Sequence, residues 1–206
     1  MCGKYTLMVE FMPDELHALL TQFMQNGEEW SSQVLSKGGE ISPGDRAPAL
    51  VLAGGKLQIQ PMRWGLQGRA GRLIINARSE TAHAKPMFSR MLSEGRCALP
   101  AAGYFEWRDS DGQKHLICPT EVPALYLAGL YRMEADGELH FVVLTREAYG
   151  EHAAVHGRMP LILPTGSEAR KWLGGAIRVE SLAALRPELS VQPLGDEQMR
   201  MDLGEF

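Results

Sequence analysis

The sequence predicts a mainly β, α+β fold in one domain, a distorted β-barrel with short peripheral helices. Three observations carry this expectation. The turn signals Gly54-Gly55, Asp109-Ser110-Asp111-Gly112 and Asp136-Gly137 each separate two strand-like runs, which reads as three hairpins. The helical patterns are few and short. No Pro/Gly/Ser-rich linker divides the 206 residues, so residues 1–206 are read as a single domain, at a typical scale of about 150 residues each.

Taken in order, Met12–Met24 reads as a helix, with Pro13 suited to its first turn and Asp14 and Glu15 near its positive end. Ala49–Leu52 and Leu57–Met62 form the first hairpin. Ser79–Leu92 is partly helical, and Pro86 breaks or restarts it. Tyr104–Arg108 with Lys114–Ile117, and Leu125–Met133 with Leu139–Thr145, form the second and third hairpins. Leu161–Leu163 is a short apolar run closed by Pro164. Thr165-Gly166-Ser167-Glu168 fits a capping box that opens a helix through Trp172, stopped by Gly174-Gly175, and Ser181–Leu185 adds one turn. Trp30 and Trp172 read as packing residues.

Composition narrows the class. With 45% hydrophobic and 22% charged residues the chain is globular, and it is long enough to bury a core without staples. Cys2, Cys97 and Cys118 are too few and scattered for a disulfide framework or a zinc site, and no stretch approaches a signal peptide or a membrane span. A protein of the reducing cytoplasm is expected, without metal or cofactor and without membrane contact. A net charge of −4 argues against a wholly basic nucleic-acid coat. The average conceals an asymmetry: residues 63–96 hold seven Lys/Arg against two acids, net +5, leaving −9 elsewhere. That segment is a candidate nucleic-acid-facing patch.

Four places carry candidate chemistry. Removal of Met1 would make Cys2 terminal, placing a thiol and an α-amine on adjacent carbons, with ordinary pKa values of about 8.5 and 7.7–8.0. Such a pair condenses with an aldehyde to a thiazolidine, or serves as an N-terminal nucleophile toward an amide. In Ile74–Thr81, Asn76 can orient a carbonyl or amine and Arg78 can hold an anion. On a strand, Glu106 points away from Phe105 and Trp107, and in a semi-apolar cavity it would serve as general acid and base. His156, followed by Gly157 and Arg158, reads as an imidazole presented on a loop; His152 four residues earlier lacks the glutamate of an HExxH zinc helix. Cys97 reads as core, and Trp64 beside Gly65 as a stacking platform for a base.

These segments, in this order, resemble the SOS-response-associated peptidase (SRAP) family. Its members begin Met-Cys-Gly-Arg, and this chain begins MCGKY. Its Arg-Trp-Gly-Leu and Asn-Ala-Arg-x-Glu-Thr are matched by RWGL at 63–66 and NARSET at 76–81. Its Arg-Cys-(apolar)2-Pro-Ala-x-Gly-(aromatic)2-Glu-Trp is matched by RCALPAAGYFEW at 96–107, and its His-Asp-Arg-Met-Pro by HGRMP at 156–160. The resemblance spans residues 2–163. It implies a single SRAP domain whose cleft takes single-stranded DNA containing an abasic site, acting as a monomer. By similarity, Cys2 loses Met1 by self-processing and forms a thiazolidine with the ring-opened sugar. Asn76 holds the terminal amine or sugar, and Glu106 and His156 move protons. Lys4, Arg78, Arg158 and Thr145 contact the DNA backbone, and Trp64 or Trp107 lies near bases.

Three positions depart from the family pattern. Lys4 replaces an arginine and loses its bidentate fork. Gly157 stands where an aspartate is usual beside His156, and Gln67–Arg72 replaces an Ile-Pro-x-Trp continuation. Two rival functions therefore stand beside the crosslinker: an N-terminal-nucleophile peptidase or amidohydrolase acting in trans, and a noncovalent single-strand binder.

Overall fold

The computed structural model describes residues 2–25, 34 and 38–195. Trp30 lies outside them. Among the described residues the structure is mainly β with five helices, as expected for the fold class. The strands are β1 (Lys4–Thr6), β2 (Glu40–Ile41), β3 (Arg46–Ala53), β4 (Lys56–Trp64), β5 (Leu66–Gln67), β6 (Leu73–Ile74), β7 (Asn76–Arg78) and β8 (Arg96–Ala101). They continue with β9 (Gly103–Trp107), β10 (Lys114–Pro119), β11 (Leu125–Met133), β12 (Leu139–Glu147), β13 (Arg158–Pro160), β14 (Ile162–Leu163) and β15 (Leu189–Pro193). The helices are α1 (Asp14–Gln25), α2 (Ser79–Ala82), α3 (Pro86–Glu94), α4 (Gly166–Leu173) and α5 (Val179–Ala184). None of the described helices is long and apolar enough to cross a membrane.

The three hairpins form where the turn residues place them. Gly54 and Gly55 both take positive φ, 58° and 76°, which a two-residue turn between twisted strands requires and a side chain would strain. Pro86 divides α2 from α3 by opening the second helix at its first position. The Thr165 side chain accepts from the Ser167 amide at 3.2 Å and its hydroxyl donates to Glu168, so Thr165 caps the start of α4.

Five strands form one sheet in the order β15-β10-β9-β1-β2. In the second sheet, β12, β4, β3, β8 and β11 pair in sequence and β11 returns to β12, so the sheet is partly ring-like. β7 and β13 both join β12, in register with Val143–Thr145 and Thr145–Glu147. This places Asn76, Arg78 and Arg158 beside the end of one central strand.

The core fills the ring and the space between the sheets. Trp64 is fully buried, stacked on Phe141 at 5.9 Å and tilted against Tyr5 at 5.4 Å, and its indole nitrogen donates to Ile75 O at 2.9 Å. It is therefore a packing residue, and the stacking face expected of it is not accessible. Trp172 is likewise buried, with its indole donating to Cys97 O at 2.9 Å and the Arg96 guanidinium lying over its ring. Cys97 sits in the core as read from sequence. At Gly129 a Cβ would meet Cys97 Sγ and Leu99 Cδ2, both at 2.7 Å. Gly129→Ala should accordingly destabilise the fold by about 1–3 kcal/mol in denaturant unfolding, through overpacking; an unchanged midpoint would contradict this packing.

Candidate active site

The pairing of β1 with β9 fixes the site. Lys4 lies opposite Phe105 and Tyr5 opposite Tyr104, so the residues preceding Lys4 run toward the Glu106–Trp107 end of β9. Alternation along β9 puts Tyr104 and Glu106 on one face and Phe105 on the other. On that second face Lys114 Nζ lies 4.2 Å from the centre of the Phe105 ring, and Glu40 bridges Lys4 and Lys114.

Across the gap to the second sheet, Asn76 Nδ2 donates to Cys2 O at 2.9 Å. This hydrogen bond joins the start of the chain to β7. The Asn76 Oδ1 atom has no hydrogen-bond partner among the described residues. Cys2 is fully buried, and its Sγ has one weak contact, to Lys4 O at 3.9 Å. Burial pushes the thiol well above the usual cysteine range, and the nearby Glu106 charge pushes it further.

Glu106 is 2% exposed. Burial raises its pKa, against the opposing influence of His156, and Asp109 adds a smaller upward push. The carboxyl therefore keeps its proton to higher pH than a surface glutamate, as expected if it faces a semi-apolar cavity. Tyr104 beside it is buried, is pushed up by desolvation and by the Cys2 and Glu106 charges, and its hydroxyl has no hydrogen-bond partner among the described residues.

The imidazole of His156 is fixed at one edge: Nδ1 accepts the Arg158 amide at 2.9 Å. Nε2 faces Asp109 Oδ1 at 3.6 Å. His152, on the 3-10 turn Gly150–Ala154, packs its ring against Tyr104 at 5.7 Å, and burial, with His156 nearby, lowers its pKa to about 4. It is a neutral imidazole at physiological pH.

The charges of Cys2, Glu106 and His156 thus bear on one another, and Asn76 joins the group through its hydrogen bond to the Cys2 carbonyl. The residues expected to touch a DNA backbone divide. Arg78 is exposed. Arg158 holds Glu80 through two hydrogen bonds of 2.7 and 3.0 Å, and its second guanidinium nitrogen also donates to Thr145 O at 2.8 Å. Thr145 is fully buried, and its hydroxyl accepts from Arg158 at 3.2 Å. Lys4 is engaged by Glu40. Of the two tryptophans, Trp107 is the exposed one, at 40%. The basic segment also divides: Arg63 pairs with Glu138, Arg90 with Glu94, and Arg96 donates to Leu92, Trp172 and Ile177 carbonyls. Arg69, Arg72, Arg78 and Lys85 are exposed.

Tyr104 and Asp109 were not singled out by sequence, although the period-two alternation of β9 places Tyr104 on the face of Glu106. Among the described residues, one His/Asp/Glu cluster has metal-ligand spacing, Asp136, Glu138 and His140. Its charges are already met: Glu138 is held by Arg46 and Arg63, and His140 by Gly65 O and Asp136.

The sequence profile of the SOS response associated peptidase (SRAP) family matches residues 1–201. The abasic site processing protein YobE of Bacillus subtilis is 29% identical over 186 residues, 84% of this chain and 82% of that protein. The abasic site processing protein YedK of Escherichia coli is 27% identical over 183 residues, covering 84% and 79%. A crystal structure of a phage-related protein from Bordetella bronchiseptica superposes with a TM-score of 0.63 at 30% identity, covering 76% of this chain and 81% of the other. A Bacteroides thetaiotaomicron protein shares the fold at a TM-score of 0.70 and 20% identity, over 97% and 94% of the two chains. The chain belongs to the SOS response-associated peptidase family.

Proposed function

We propose that this protein recognises abasic sites in single-stranded DNA and, once Met1 has been removed by self-processing at the same site, captures them covalently through Cys2. The observation that carries the reading is the coupling of a buried Cys2 to a buried, proton-retaining Glu106, with Asn76 holding the Cys2 carbonyl at 2.9 Å. The names of the relatives, abasic site processing proteins, support the substrate.

The chemistry follows from the two raised pKa values. The α-amine of Cys2 adds to the aldehyde carbon of the ring-opened sugar, giving a carbinolamine. Protonated Glu106 gives its proton to the carbinolamine hydroxyl, the C–O bond breaks and water leaves, forming an iminium. Sγ then bonds to the same carbon, the C=N electron pair returns to nitrogen, and the Glu106 carboxylate takes the thiol proton. One carboxyl thus acts first as acid and then as base. A thiol held protonated by burial requires such a base at ring closure. His156 moves the proton in opening the sugar ring; its Nδ1 is engaged by the Arg158 amide, so the transfer falls to Nε2. Arg78 offers a phosphate contact, and Trp107 a face for a neighbouring base.

The peptidase reading in trans has the family description as its support. The burial of Cys2 disfavours it, because an extended peptide must reach the sulfur whereas a flipped-out sugar is small.

Three variants test the reading. Processed protein mixed with an abasic single strand gives a heat-stable band on a denaturing gel, and Cys2→Ala gives none; an undiminished band in that variant would sink the reading, and peptide turnover lost in Cys2→Ala would favour the hydrolase. Glu106→Gln slows adduct formation by about 10²–10⁴-fold. It also stabilises the fold more at about pH 8 than at about pH 4: the raised pKa of Glu106 contributes stability that is complete below the unfolded value and lost as pH rises through the folded one. Equal Tm gains at the two pH values would contradict the buried carboxyl. Finally, Arg78→Ala should reduce the salt slope of single-strand binding by about 0.7, equally for intact and abasic strands; an unaltered slope would remove Arg78 from the interface.

A further inference from the structure

We propose that Asp109 is a positioning residue for His156, the carboxylate that holds its ring for proton transfer. This rests on the reading of His156 as the proton-moving imidazole of the site. The residue next to His156 in the chain is Gly157, which brings no side chain, and a Cβ there would stand in open space. The acid facing the ring comes instead from the turn between β9 and β10. Its Oδ1 lies 3.6 Å from His156 Nε2.

Two features hold that turn against the histidine loop. The Asp109 amide donates to Val155 O at 3.0 Å, tying the two loops backbone to backbone. The second aspartate of the turn is used internally: Asp111 holds Arg108 Nε at 2.9 Å and accepts the Gln113 amide at 3.1 Å. Asp109 and Asp111 are therefore not equivalent, although both read from sequence as turn residues. One closes the turn and the other faces the site.

The ring of His156 is consequently anchored at Nδ1, while the Asp109 carboxylate stands beside Nε2 beyond hydrogen-bond distance, close enough to orient the ring and far enough to leave that nitrogen to the sugar oxygen. At Nδ1 the Arg158 amide stands at 2.9 Å and the Arg158 carbonyl oxygen at 3.2 Å; the shorter amide contact and the Asp109 carboxylate beside Nε2 both favour the tautomer whose ring proton sits on Nε2, toward Asp109. The titratable groups around the ring are Asp109 from the β9–β10 turn, Glu106 from β9 and His152 from the Gly150–Ala154 turn; the guanidinium of Arg158 is turned to Glu80. Asp109 also bears on Glu106, where its charge favours the protonated carboxyl. One exposed acid thus acts on both proton carriers, in the sense each requires. Because its carboxylate is 70% exposed, the coupling is modest and its worth lies in orientation.

The test compares wild type, Asp109→Ala and Asp109→Glu. With an abasic single strand, Asp109→Ala should form adduct about fivefold more slowly at unchanged strand affinity, and Asp109→Glu should restore most of the rate. In parallel, ¹⁵N spectra of the DNA-free protein should show His156 in wild type as one tautomer, protonated at Nε2, and in Asp109→Ala the two ring nitrogen shifts should move toward each other. An unchanged rate with unchanged nitrogen shifts overturns the proposal, as does a rate loss that Asp109→Glu fails to recover. If wild type forms no adduct, the crosslinking function fails on its own account, and the nitrogen shifts decide the role of Asp109.

Discussion

The hydrogen bond from Asn76 Nδ2 to the carbonyl of Cys2 is the constraint from which the site is built. Cys2 belongs to the five-stranded sheet through β1, and Asn76 opens β7 in the partly ring-like sheet. β1 is only three residues long, so the segment around Cys2 keeps its place only where it is tied down. Here it is tied twice, by β1 pairing with β9 and by the Asn76 amide. Both ties must hold for the thiol to sit within electrostatic reach of Glu106.

Burial does the remaining work, and it has opposite consequences for stability and chemistry. Glu106, Tyr104 and His152 are buried polar side chains, and among the described residues the Tyr104 hydroxyl and both ring nitrogens of His152 have no hydrogen-bond partner; such groups are costly, of order 1–3 kcal/mol each. The same desolvation raises the pKa of Glu106 and lowers that of His152. A fold selected for stability alone would place apolar residues there. Retaining polar groups in one small volume beside a buried thiol is the pattern of a site that handles protons.

Much of this was legible in the sequence, and the failures have physical reasons. The hairpins were readable because Gly54-Gly55 and Asp136-Gly137 are local signals, and the α4 cap because Thr165 and Glu168 act within one turn. Strands β1 and β8 were not read as strands: β1 is three residues long, and β8 is buried on both faces, so it shows no alternation and even carries Pro100. The site residues emerged from motif resemblance together with local chemistry, and alternation correctly turned Glu106 away from Phe105 and Trp107. Exposure was the hidden variable. Trp64 and Thr145 lie in the core, and Arg158 is committed to Glu80, because long-range packing decides which side of a strand meets solvent. Asp109 was hidden for the same reason, since its partner lies 47 residues away in the chain.

The central claim is that the α-amine and thiol of Cys2 close on one sugar carbon. Mass spectrometry of the adduct formed with an abasic strand, without borohydride, tests it most directly. The account predicts that the N-terminal peptide, beginning at Cys2, carries the sugar remnant with the loss of one water and survives heating unreduced. An adduct that appears only after reduction, or that maps to a lysine, would contradict it.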